Sequence, residues 1–189
     1  MNYFEYNAVR SSDLGIRIEH KEVFSAPKYD ATFQLIPGRD GNLILPNGRY
    51  PNAQVTYSVF LPAKSVQELA DKITAVKAWL YTEPNNYHVL RDSYDTAYYR
   101  KAVFASKLDI EDELNRIGIF TVSFSCLPFR YMESGSEKIV ITTTGTTIRN
   151  PCMFTSKPII RVNGSGNGSL LLQTALSNTQ WSFTSINEY

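Results

Sequence analysis

The chain has 189 residues, 19 basic and 18 acidic side chains and two cysteines. That length suits one or two domains burying roughly two-thirds of the unfolded surface, and a formal charge of +1 leaves no excess of cations to neutralise a nucleic-acid backbone. Cys126 and Cys152 have no C-x-x-C spacing, which excludes a disulfide scaffold or a zinc ribbon and fits a reducing compartment.

At the start, Met1-Asn2-Tyr3-Phe4-Glu5-Tyr6 lacks the basic stretch and apolar run of a signal peptide. No later run approaches the roughly 18 apolar residues of a membrane span. A soluble chain without a leader is expected. Ile16 and Ile18 then alternate with charged residues, as in a strand with one wet face. Phe33-Gln34-Leu35-Ile36 and Leu43-Ile44-Leu45 flank Pro37-Gly38-Arg39-Asp40-Gly41, and Asp-Gly between apolar runs predicts a hairpin turn. Pro46-Asn47-Gly48-Arg49-Tyr50-Pro51-Asn52 reads as a second, projecting loop. Arg39, Asp40, Arg49 and Tyr50 are therefore candidate contact residues, because Arg and Tyr recur in interface hot spots.

Val55 to Phe60 alternates as a strand. After it, Val66, Leu69, Ile73, Val76 and Leu80 recur at helical spacing, Ser65 and Glu68 form a capping-box pattern, and Glu68 precedes Lys72 by four residues. One helix ending before Pro84 is predicted. Tyr87, Tyr94, Tyr98, Tyr99, Phe104, Phe120, Phe124 and Phe129 occupy strand-like positions and are expected mostly to fill a β core. Glu111-Asp112-Glu113 reads as a solvated hairpin loop, and Phe120 to Phe124 alternates strictly.

Beyond a boundary placed near residues 130–137 the composition changes. Residues 1–138 carry 33 charged side chains and residues 139–189 only 4. The second stretch is rich in Ser, Thr, Asn and Gly, and Lys138-Ile139-Val140-Ile141 and Pro158-Ile159-Ile160-Arg161-Val162 look like strands between glycine turns. So few large apolar groups would hardly sustain a separate core.

Catalytic constellations are not visible. His20 and His88 have no Cys, His or carboxylate at ligand spacing, no G-x-S-x-G motif occurs, and the Gly164–Gly168 stretch lacks the Gly-Lys-Ser/Thr ending of a phosphate loop. Neither enzyme activity, cofactor nor metal is expected. One helix among antiparallel-looking strands gives a mainly β (α+β) fold, since a parallel sheet would need several helical crossovers.

Several of these segments, taken in order, resemble the N-terminal ring-forming domain of the siphovirus (long-tailed phage) distal tail protein family, Dit. They are Ser11-Ser12-Asp13-Leu14-Gly15-Ile16, Pro37-Gly38-Arg39-Asp40-Gly41, the helix end Ala78-Trp79-Leu80, Tyr98-Tyr99-Arg100 and Phe120-Thr121-Val122-Ser123-Phe124-Ser125-Cys126-Leu127-Pro128-Phe129. The resemblance implies a β-sandwich with one helix, assembled as a hexameric ring at the tail tip. It implies a structural hub, not an enzyme, joining the tail tube and tape-measure end to the baseplate or to tail-associated lysin and fibre proteins. Such a protein is made in the bacterial host cytoplasm and resides in the virion.

The family's second half is a galectin-like β-sandwich. Residues 139–189 begin like one and stop early, which leaves a truncated chain and a reduced module as alternatives. The expected division is therefore a ring-forming domain at 1–132 and a partial or reduced β-rich C-terminal module at 133–189. A rival reading is a carbohydrate-binding β-sandwich for host recognition, with Trp181 stacking on a sugar face.

Overall fold

The computed structural model describes residues 2–156, 158–174 and 178–186. It divides into two compact units, Met1–Lys138 and Ile139–Tyr189. The first contains β1 (Phe4–Tyr6), β2 (Val9–Arg10), β3 (Arg17–Glu22), β4 (Asp30–Gln34), β5 (Leu43–Arg49), β6 (Ala53–Pro62), α1 (Val66–Leu80), β7 (His88–Asp92), β8 (Asp95–Val103), β9 (Ile110–Glu113), β10 (Ile117–Cys126) and β11 (Tyr131–Met132). The second contains β12 (Gly166–Gln173) and β13 (Asn178–Ile186), an antiparallel pair. The fold is mainly β, and α1 is the one α-helix among the described residues.

Strands β6 and β10 alternate as their sequences require. Val55, Tyr57, Val59 and Leu61 on one, and Phe120, Val122, Phe124 and Cys126 on the other, are buried while the intervening residues are not. Their antiparallel register runs unbroken from Ile117↔Pro62 to Cys126↔Ala53. On its other edge β10 first pairs with β9 and then, over Ser125 and Cys126 only, with β8. The large sheet therefore turns a corner there. One half is β9-β10-β6-β3 and the other is β2-β1-β7-β8, with β11 on β8.

The two halves face each other through aromatic rings. Phe4 of β1 stacks on Tyr57 of β6 at 4.4 Å, and Tyr6 lies 4.8 Å from Phe124. Phe124 also meets Phe4, Tyr57 and Phe104 edge-on. The predicted helix closes this core with a shifted stripe. Leu69, Val76, Trp79 and Leu80 are buried, whereas Val66 in the first turn is 57% exposed. Trp79 donates its indole N–H to the Tyr6 carbonyl at 2.9 Å, tying helix to strand. Ser65 caps the Glu68 amide at 3.2 Å, and the Glu68 carboxylate accepts from the Lys64 amide and from Lys72. Gly118 lets the helix approach closely, since a Cβ there would stand 3.3 Å from Ile110 and 3.5 Å from Leu69.

Several expectations need correction. Pro46 to Arg49 belongs to β5 and is not a free loop, and Glu111 to Glu113 lies in β9, with the turn itself at Leu114 and Asn115 (φ 57 and 55). Residues 138–141 and 158–162 form no strand. Of the eight aromatics at strand-like positions, Phe104, Phe120 and Phe124 are core, while Tyr87, Tyr94 and Phe129 are exposed and Tyr98 and Tyr99 half-buried.

On the outer face, charged and aromatic side chains lock the end of the first unit to the sheet. Arg91 of β7 donates to Glu133 at 2.6 Å and to Glu5 at 3.1 Å, and its guanidinium lies over Tyr99, which stacks on Tyr131. Hydrogen bonding to Glu133 holds the Arg91 pKa above its ordinary value.

Truncating the ring shared by both halves, Phe124→Ala, is expected to cost about 3–5 kcal/mol of unfolding free energy in denaturant titration of the full chain. A loss under about 1 kcal/mol, as at a surface site, would show that this cluster does not hold the halves together.

Candidate functional site

Strands β4 and β5 pair with each other and, among the described residues, with no strand of the large sheet. They form a two-stranded ribbon, a structure only marginally stable in water by itself. Register places Phe33 opposite Ile44 on one face and Thr32 opposite Leu45 on the other. Phe33 is 57% and Ile44 56% exposed, and Leu35 beyond the strand is 76% exposed. These residues have the apolar, β-branched or aromatic character of core strands but no core beneath them. Phe33 and Ile44 thus form an exposed apolar pair.

The base of the ribbon is fastened. The Asp30 carboxylate accepts from Asn47 Nδ2 at 2.8 Å and from Arg49 Nε at 2.6 Å, and these bonds hold its pKa below the ordinary carboxylate value. Gly48, at φ 68, sits in the irregularity that brings Asn47 and Arg49 to the same carboxylate. Tyr50 packs edge-on against Tyr29 at 5.1 Å and against Phe129 at 6.1 Å.

At the other end, Gly38 (φ 80) allows the turn closed by the Arg39 amide on the Ile36 carbonyl at 3.2 Å. The Arg39 and Asp40 side chains are exposed and make no hydrogen bond or ion pair among the described residues. The structure thus separates the four candidate contact residues. Arg39 and Asp40 stand at the tip, while Arg49 and Tyr50 stand at the base, about 20 Å away along β5 at strand rise. Phe33, Leu35 and Ile44 were not singled out from sequence, because their pattern is that of a buried strand. Trp181 lies on β13 opposite Leu170, and its side chain is outside the described residues.

His20 falls inside β3 and His88 opens β7. No group of three or more His, Cys, Asp or Glu side chains among the described residues is placed to hold a metal ion. Burial pushes the Cys126 thiol up to about 11, which keeps it protonated and unreactive. No helix among the described residues is long and apolar enough to cross a membrane.

The architecture has a solved counterpart. The chain is similar to the SPP1 Dit protein, described as a paradigm of the hub adsorption apparatus in phages infecting Gram-positive bacteria. The TM-score is 0.70 at 15% identity, over 98% of this chain and 76% of that one. That likeness shows the fold. No protein-family profile and no curated protein matches the sequence.

Because the folded pKa of Asp30 is depressed, its contribution to the ribbon is complete above the ordinary carboxylate value of about 4 and is lost as pH falls through the lower folded value. Relative to the intrinsic rate at each pH, amide exchange of β4 and β5 should therefore accelerate on acidification below about pH 4 more than exchange that requires global unfolding does. In Asp30→Asn it should be fast already at neutral pH. Equal exchange in the two proteins at pH 7 would remove Asp30 as the clasp.

Proposed function

We propose that the chain is a structural component of a phage tail tip, a hub that assembles as a hexameric ring and joins the tail tube to baseplate or other tail-tip proteins. The observation that carries this reading is the ribbon: an arm with an exposed apolar face that pairs, among the described residues, with no strand of the large sheet. The likeness of fold to the SPP1 Dit hub protein gives the arm its context.

A ring requires a heterologous contact, in which one patch meets a different patch on the next copy. An arm satisfies this requirement directly, because its target need not be another arm. Phe33, Leu35 and Ile44 supply the area to be covered, and Arg39 and Asp40 at the tip supply polar contacts with unspent hydrogen-bonding capacity. Arg49 and Tyr50 contribute indirectly, by setting the angle of the ribbon at its base. In this role the protein needs no catalytic group. Its partners are copies of itself, the tail tube, the end of the tape measure and tail-associated lysin or fibre proteins. Its place is the virion, after synthesis in the bacterial host cytoplasm.

Light scattering coupled to size exclusion, with negative-stain imaging, tests the reading. Rings of six copies are expected at micromolar concentration, and Phe33→Ser with Ile44→Ser should convert them to folded monomers. A wild-type chain that stays monomeric at every accessible concentration refutes the ring.

A further inference from the structure

The mouth of the sandwich, where the β7–β8 turn faces the segment after β3, holds a cleft whose cavity is about 30 Å³. Its charged lining is unevenly satisfied. Asp95 is paired with Arg130 at 2.7 Å. Asp92 accepts from the Tyr57 hydroxyl at 3.0 Å and from the Tyr94 amide at 2.9 Å, and burial holds Tyr57 protonated for that bond. Among the described residues Arg100 makes no ion pair, although the Asp92 carboxylate lines the same cleft. Arg100 shares the inward face of β8 with buried Ala102, is half-buried, and spends one Nη2 donor on the Val23 carbonyl at 2.7 Å. A guanidinium has five N–H donors, so most of its fork is left to solvent in the cleft.

Size decides what can enter. A water needs about 10–15 Å³ of such space, so this cavity holds two or three small polar atoms. A sugar ring does not fit, whereas the two oxygens of a carboxylate match both the volume and the planar fork of arginine.

The same chain presents unpaired carboxylates elsewhere. Glu111, Asp112 and Glu113 are exposed on β9, and their carboxylates make no ion pair or hydrogen bond among the described residues. Strand β9 forms one edge of the half-sheet β9-β10-β6-β3, and the Val23 side of the cleft follows β3 at the opposite edge. Ile110 packs on the core, so Glu111 and Glu113 alternate to the outer face. A socket at one edge and acidic side chains at the other cannot meet within one copy. Only two copies placed head to tail bring such edges together, and a ring repeats that kind of contact.

We infer that Arg100, in the cleft at the mouth of the sandwich, receives a carboxylate from the Glu111–Glu113 run of the next copy. The inference rests on the ring reading and names one of its contacts.

Sedimentation velocity over a concentration series tests it on the full chain. Arg100→Gln removes the guanidinium and its charge while keeping a polar side chain at the position. The exposed triple variant Glu111→Gln, Asp112→Asn, Glu113→Gln is nearly isosteric, and circular dichroism verifies the fold of both. Each should weaken ring association at least tenfold, and combining them should weaken it little further, because both remove the same contact. Rings that form as tightly in either variant as in the wild type overturn this contact while the ring reading stands, and so do losses that simply add. A monomeric wild type overturns the ring reading itself.

Discussion

Strand β10 serves two sheets. Along its whole length it pairs with β6, and on its other edge it hands over from β9 to β8 within a few residues. Everything else in the first unit depends on that handover. It brings β1, β7 and β8 around to face β3 and β6, and it delivers Phe124 to the place where rings from both halves converge. Once the halves face each other, α1 has an end to close and Trp79 has the Tyr6 carbonyl within reach.

Much of this was legible in the amino-acid order. The alternation in β6 and β10 reports a strand with one buried face, and the cap at Ser65 reports where the helix begins. The hairpin at Pro37–Gly41 was predicted from turn chemistry that depends on two or three residues. Local signals of this kind survive because they are decided locally. The helix stripe was right in period and off by one side chain. Trp79 is buried in place of Val66, which stands in the exposed first turn.

What was not legible depended on partners. Pro46 is tolerated in β5 because the ribbon is all edge, so a residue that usually demotes a strand does not end this one. The β-branched runs at 138–141 and 158–162 have strand composition but no strand to pair with, and β propensity has little force without a neighbour. Phe33 and Ile44 present the same ambiguity in reverse. Their pattern announces burial without saying against what, and in the structure both side chains stand exposed. Arg100 was likewise silent in sequence, since its unspent donors are defined by which carboxylates its neighbours have already claimed.

The Arg91 fork bears on how the molecule carries load. It grips Glu133 and Glu5 together and lies over the Tyr99 ring, so the chain leaves the first unit from a riveted point and not from a frayed end. A pull arriving through residue 138 is then borne in part by ion pairs and stacked rings across β1, β7, β8 and β11. The backbone bonds of the short β11 do not carry it alone. None of these contacts involves a residue beyond 138, so changes there leave the clamp itself in place.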